Sequence, residues 1–473
     1  MPELLQQTTT RPELSRDLGV SHASAVVVGT IIGSGIFLVP AEMMQAVGSA
    51  KLVYLAWLVG GLLSFFGALT YAELGAMKPQ TGGEYVYVRD AYGPLGGFLY
   101  GWTWFVIAKP ASVATVATGL VRILGTFSIF SFFSGNIFPA NISFHSFPVT
   151  WGQLVAIAAA ILISVLNYLG VKKAGEFQLV FTVLKVAIIL GIVAVCFSGA
   201  GGATGRGWSN FAGTFTGAKG GIAGFMAALV AALWAYDGWN NVSMVSSEVR
   251  DPQRNLPLAL IGGTTAVIAI YLLTNAAYFH VLSATEVGSS TRVAAEMMRR
   301  VMGSPGAGAV SLAAMISIFA ALNGSILTGA RVPYAAARQG YFFAPIARIN
   351  AKYRTPGVSI WALSIWAALL VLSGRFEQLF TYVIFSSWIL YAMTAAAVLV
   401  LRRKQPGLPR PYRTLGYPWV PIVFVLVAFT LIVSTLLDSP RESLMGIGLI
   451  LLGVPFYFYW KKRRSNDSKL HKY

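Results

Sequence analysis

Twelve apolar runs dominate this chain of 473 residues. They fall near positions 22–47, 51–77, 93–127, 151–169, 177–198, 217–246, 258–282, 306–337, 358–373, 377–401, 417–437 and 443–460. Roughly 20 apolar residues in a helix cross the hydrocarbon core of a bilayer. In that medium each backbone N–H and C=O must find a partner inside the protein, so such runs form helices. The expected class is an all-α polytopic membrane protein with about 12 transmembrane helices.

Charge supports this reading. Only 11% of residues are charged, against about a quarter in soluble domains. The formal charge of +18 comes from 35 Lys and Arg against 17 Asp and Glu. The basic clusters "VKK" (171–173), "RRK" (402–404) and "KKRR" (461–464) sit at the ends of apolar runs. They read as cytoplasmic anchors in a cell membrane. An even number of spans, with a basic C-terminal tail, places both termini in the cytoplasm. The bilayer is the implied partner. No interleaved basic and aromatic patch points to nucleic acid. Residues 1–18 and 461–473 read as cytoplasmic tails, and the N-terminus lacks a cleavable signal pattern. Outside, residues 128–150 carry no charge, and Asn141 opens an "NIS" sequon there. The mixed stretch 286–300 is the long external exception and is expected to be helical.

Cys196 is the only cysteine, and the histidines stand apart at 22, 145, 280 and 471. No intrachain disulfide, metal site or cofactor is expected. No intramembrane nucleophile–base pair suggests an enzyme.

Two of the runs contain their own weak points. Span 1 carries "TIIGSGIF" (30–37), and span 6 carries "ALWAYDGWNN" (232–241) with Asp237, Gly238, Asn240 and Asn241. Gly29 and Gly33 alone would suit close helix packing. Interrupted helices at matching positions of two halves point instead to a transporter site. A break frees amides at the start of one half-helix and carbonyls at the end of the other. Unpaired backbone at membrane depth is tolerated where it lines a cavity. The amides attract a carboxylate and the carbonyls suit an ammonium. One pair of breaks can thus hold both ends of a zwitterion.

"GTIIGSGIF", "AYDGWNN" with "SSEVRDPQRNLPLAL", and "LNGSILTGAR" (322–331) together resemble the amino acid–polyamine–organocation superfamily. The closest resemblance within it is to the L-type amino acid transporter family, from about residue 18 onward, in a prokaryotic-type member. The resemblance implies the leucine-transporter fold: a 5+5 inverted repeat plus two helices. The corresponding division is 19–200, 201–402 and 403–460. It also implies that a substrate carboxylate meets the amides of Ser34, Gly35 and Ile36. The ammonium would meet the carbonyls of Ile31, Trp234 and Asp237. Trp234 stands at the position of an aromatic gate, and Asn240 would steady the unwound segment. Ala235, Asn241, Phe385 and Trp388 would shape the side-chain pocket. Residues 128–150 lack the cysteine of heavy-chain-linked relatives, so no disulfide-linked heavy chain is expected.

Four ionisable residues fall within spans: Glu73, Lys109, Lys185 and Asp237. Such residues are costly and mark function by default. By the resemblance, Lys185 occupies the place where sodium-coupled relatives bind an ion between spans 1 and 8. The alternative is that it snorkels to the interface. Asp237 is either a counter-ion for a cationic substrate or an acceptor for the unwound backbone. Lys109, before Pro110, reads as structural, and Glu73 as a cytoplasmic anchor. Glu248, Arg250 and Arg254 belong to the cytoplasmic gate. The function implied is sodium-independent transport of neutral L-amino acids by exchange. Proton-coupled uptake and polyamine or cationic amino acid transport are the alternatives. A channel would show charged rings or filter repeats, and a receptor an attached signalling domain; neither is visible.

Overall fold

A computed structural model describes residues 13–125, 132–133, 135, 137, 149–198, 207–373 and 376–470. Asn141 and His145 lie outside the described residues. Among those described, every regular element is helical. Span 1 is α1 (Val20–Ile31) followed by α2 (Gly35–Val47), and span 2 is α3 (Ala50–Met77). A short helix, α4 (Glu84–Tyr92), precedes span 3, which runs through α5 (Pro94–Thr103), a π-helical turn (Trp104–Ala108) and α6 (Lys109–Leu124). Spans 4 and 5 are α7 (Trp151–Tyr168) and α8 (Val171–Phe197). Span 6 starts as α9 (Gly221–Ala235), unwinds, and resumes as a 3-10 segment over Asn241–Glu248. Span 7 is α10 (Pro252–Val281). After α11 (Ala284–Ser289), span 8 comprises α12 (Val293–Gly329) and α13 (Arg331–Arg338). The remaining spans are α14 (Gly357–Leu372), α15 (Phe376–Lys404), α16 (Trp419–Asp438), and the pair α17 (Pro440–Leu451) and α18 (Gly453–Leu470).

Ten of these segments have the length and hydropathy of membrane helices, and Gly221–Ala235 and Gly357–Leu372 are shorter apolar ones. The expected stretch 286–300 is not one helix. A capping box at Ser283 and Glu286 starts α11, which ends at Ser289, and α12 then begins at Val293. An ion pair from Arg300 to Glu286 at 2.6 Å ties the two together. Burial raises the affinity of the Glu286 carboxyl for its proton, but hydrogen bonds from Arg300 and Ser283 outweigh it and hold the group down at about 2. Span 8 is therefore longer than its apolar run, with a kink at Gly303 where φ is +69°.

Glu13, near the start of the described chain, and Arg464, near its end, both meet the connection after span 8, through Arg354 and Tyr341, on a face where polar contacts seal the bundle. Leu18 exchanges backbone bonds with the extended residues after span 6: its N–H reaches Glu248 O at 3.0 Å, and Arg250 N–H reaches Leu18 O at 2.8 Å. Gly82 N–H donates to Met244 O at 3.0 Å, and the Thr81 and Ser247 hydroxyls touch. Arg331 and Glu248, both fully buried, form a two-pronged pair at 2.8 Å per prong. Glu73 anchors the same face, accepting from Arg402 at 2.8 and 2.7 Å and from Thr414. Phe385 and Trp388 are corrections to the sequence reading. Phe385 packs at Gly446 of α17, and Trp388 stacks toward Tyr391 and Phe424. Their rings belong to the junction with spans 11 and 12 rather than to the central cleft.

Candidate functional site

The break in span 1 covers Ile32, Gly33 and Ser34. Gly33 N–H bonds back to Ile31 O at 2.8 Å and Phe37 N–H to Ser34 O at 3.1 Å. The amides of Ser34, Gly35 and Ile36 have no acceptor among the described residues, as the first turn of α2 requires. The break in span 6 follows Ala235 and turns at Gly238, where φ is +105°. A side chain there would be strained, and its Cβ would lie 2.8 Å from Thr30 Cγ2. The glycine thus lets the two unwound segments approach.

Tyr271 of α10 stitches the breaks together. Its hydroxyl stands 3.0 Å from both Ile31 O and Ala235 O. One hydroxyl hydrogen serves one acceptor at a time, so Ala235 O keeps spare capacity, whereas Ile31 O, which also accepts from Gly33 N–H, has a lone pair left only when the hydroxyl turns to Ala235 O. Gly35 does a second job. A Cβ on it would lie 2.9 Å from Ala235 Cβ and 3.0 Å from Ala235 Cα, so it is needed for packing of span 1 on span 6.

A cleft of about 640 Å³, part of it open to solvent, lies between the breaks. Of the residues named from sequence, Ile31, Ser34, Gly35, Trp234, Ala235, Asp237 and Asn241 line it. Three do not. Ile36 is fully buried, with its carbonyl accepting from Tyr278 at 3.1 Å. Asn240 points away and bonds Glu84 at 2.5 Å. Lys185 stands behind the break, fully buried. Its ammonium donates to Gly29 O at 2.7 Å, Ile32 O at 2.6 Å and Ser317 O at 3.4 Å, joining spans 1, 5 and 8. Three carbonyls match the three N–H bonds of an ammonium. With its charge engaged there, the side chain does not snorkel to the interface.

Lys109 is a correction of role. It lines the cleft, donates to Asn241 Oδ1 at 3.2 Å, and sits 5.0 Å from the centre of the Trp104 ring. The π-helical turn before it rotates its side chain inward, and Gly329 leaves room for its stem. Asp237 faces it across the cleft and accepts from the Tyr391 hydroxyl at 2.5 Å.

Sequence reading missed Glu84, Tyr271, Tyr391 and the amide chain under Lys185. In that chain Asn167 donates to Asn323 at 2.9 Å, Asn323 to Gln178 at 2.7 Å, and Gln178 to Ala25 O at 3.2 Å. Apart from Glu84, which lies in the polar connection between spans 2 and 3, these are single polar residues within apolar runs, a signal of the same kind as Lys185 but without charge.

The profile of the amino acid permease family matches residues 18–454. The chain belongs to the amino acid permease family. Curated relatives match this permease over nearly its whole length. It is 33% identical over 468 residues to the mouse (Mus musculus) b(0,+)-type amino acid transporter 1, covering 97% of this chain and 92% of the relative. It is 32% identical over 465 residues to the serine/threonine exchanger SteT of Bacillus subtilis (strain 168), covering 96% and 98%. Its identity to the human (Homo sapiens) large neutral amino acids transporter small subunit 2 is 32% over 464 residues, covering 95% and 82%. The permease is thus a multi-pass carrier of the amino acid–polyamine–organocation superfamily, related to L-type transporters.

Proposed function

We propose that this permease exchanges neutral L-amino acids across a cell membrane by alternating access, without sodium. The observation that carries the proposal is the facing pair of breaks. The free amides of Ser34 and Gly35 and the carbonyls of Ile31 and Ala235, which share one Tyr271 hydroxyl hydrogen, belong to residues lining one cleft. That arrangement offers donors to a carboxylate and acceptors to an ammonium a few ångströms apart. Ile36 would add its amide from the first turn of α2, and the carbonyls of Trp234 and Asp237 would complete the ammonium's shell. Trp234, half-buried over Gly35, is the gate that closes on bound substrate. The names of the exchanger and large-neutral relatives support the same substrate class. Lys109 in the same cleft argues against a cationic side chain, which would meet a fixed positive charge.

On this reading spans 1–5 (19–200) and spans 6–10 (201–402) are the two inverted repeats, with 403–460 appended. The face holding both termini is cytoplasmic, in keeping with its basic clusters. The permease works without a disulfide-linked heavy chain, since Cys196 is its single cysteine and is buried. Lys185 replaces a sodium ion: a cation added beside its ammonium in low dielectric would be repelled.

Proteoliposomes test the proposal. Labelled neutral amino acid should enter vesicles preloaded with unlabelled substrate and not empty ones. Replacing sodium with choline should leave the rate unchanged, and Lys185→Ala should reduce it severely. Strict sodium dependence would sink the reading. Accumulation into empty vesicles under an inward proton gradient would replace exchange with proton-coupled uptake.

A further inference from the structure

Glu84 stands at the first position of α4, on the connection between spans 2 and 3, and is fully buried. Its Oε1 accepts from Asn240 Nδ2 at 2.5 Å and its Oε2 from the Tyr100 hydroxyl at 2.6 Å, with Tyr71 more distant at 3.5 Å. Asn240 belongs to the break of span 6, so this carboxyl holds a moving part of the carrier from outside the cleft. The backbone around it is stitched to the same segment: Gly83 lies so close to Ser243 O that a Cβ would overlap it. The groups that titrate or carry charge around Glu84 are Tyr71 of α3, Tyr87 of α4 itself, Tyr100 of α5, Lys109 of α6, Asp237 of span 6 and Tyr391 of α15. Two carboxyl groups therefore share one ammonium in a buried cluster.

A second observation gives Glu84 an alternative state. Asn240 Oδ1 is buried and has no hydrogen-bond partner among the described residues. A separation of 2.5 Å is below the N–H···O range and at the short end of the O–H···O range. If the amide turns over, Oδ1 can accept from a protonated Glu84 across the same gap, and Nδ2 takes the place Oδ1 now holds.

We propose that Glu84 is a proton-binding positioning residue, whose carboxylate clamps Asn240 and the break of span 6 and whose protonated form releases them. The step adds one proton from solvent to Oε1. It exchanges the bond from Nδ2 to a carboxylate for one from the acid O–H to Oδ1. A charge-assisted bond is about twice as strong as a neutral one, so the clamp weakens on protonation. Burial pushes the Glu84 carboxyl up to about 7, against hydrogen bonds from Tyr100 and Asn240 and the charge of Lys109, which draw it down; Asp237 adds to the rise. The switch would thus work near neutrality.

The kinetic arm rests on the transport reading; a spectroscopic arm does not. Infrared titration of the purified permease in nanodiscs should show the carbonyl band of a protonated carboxylic acid growing between pH 8 and 6. That band should be missing from Glu84→Gln. In preloaded proteoliposomes at saturating substrate, wild-type exchange should rise roughly five- to tenfold over the same range. Glu84→Gln should be pH-independent and fast. Tyr100→Phe removes a donor to the charged form, so it should move both midpoints to higher pH; it keeps the test alive if the glutamine variant fails to fold. The proposal is overturned if the band persists in Glu84→Gln, if wild-type exchange is flat across this range, or if Tyr100→Phe leaves the midpoints in place. Absence of any amino acid exchange would defeat the transport reading and leave the infrared result to decide Glu84.

Discussion

At the residue scale, the two glycines of "GSG" have different jobs. A Cβ on Gly33 would meet nothing nearer than Ala321 Cβ at 3.9 Å and would project into the cleft. A Cβ on Gly35 would press on Ala235. Gly33→Ala should therefore insert and melt like the wild type but bind substrate on the order of 10- to 100-fold more weakly, as hydrogen bonds to a charged carboxylate are disturbed. Gly35→Ala should lose about 1–3 kcal/mol of stability by overpacking, seen as a lower melting temperature in detergent. Equal melting of the two variants would mean the packing argument is wrong. Sequence alone could show that a break existed, because glycine and polar residues interrupt an apolar run. It could not divide the labour, since that depends on which neighbour each Cα–H faces. The same limit explains Lys109. Its charge was visible, but its inward direction comes from a π-helical turn that leaves no mark in composition.

At the element scale, a buried ion pair ties the 3-10 segment of span 6 to α13 within the sealed face. Arg331 and Glu248 are fully buried, so neither charge can fall back on water. Arg331→Met should cost about 3–5 kcal/mol by leaving Glu248 uncompensated. The double variant Arg331→Met, Glu248→Gln should recover most of that loss in thermal unfolding. If the double variant melts no higher than the single one, the pair is not what holds these elements. Glu248 was legible as part of a gate from the motif "SSEVRDPQRN", but Arg331 was read only as the last letter of "LNGSILTGAR". Their partnership links positions 83 residues apart, and no local pattern encodes it. Helix starts and ends fared better. Among the described residues the apolar runs located the ten helices long enough to span and the two shorter apolar ones, and the errors fell where polar residues extend a helix, as in α12, or where α11 is capped away from it.

At the scale of the whole molecule, the cleft and the seal define a direction of access. Residues 239–246, 248–249 and 320–337 near the terminal face are buried, with Ser247 half-buried at its edge, whereas Ser112, Val116 and Trp234 beside the cleft are partly exposed. The described state is thus closed toward the termini and open on the opposite side, the exterior in the topology proposed above. The single cysteine offers a clean test, because Cys196 is buried and out of reach of an aqueous reagent. The wild type should be silent to a membrane-impermeant maleimide. Val116→Cys should react when the reagent is added to intact cells, and saturating substrate should slow that reaction as the cleft fills. Ser247→Cys, on the sealed face, should react only from the opposite side of the membrane, in inside-out vesicles, and faster under exchange conditions that open that face. Labelling of Ser247→Cys from outside intact cells would invert the topology. Labelling of both positions at once, unchanged by substrate, would describe a pore and would exclude alternating access.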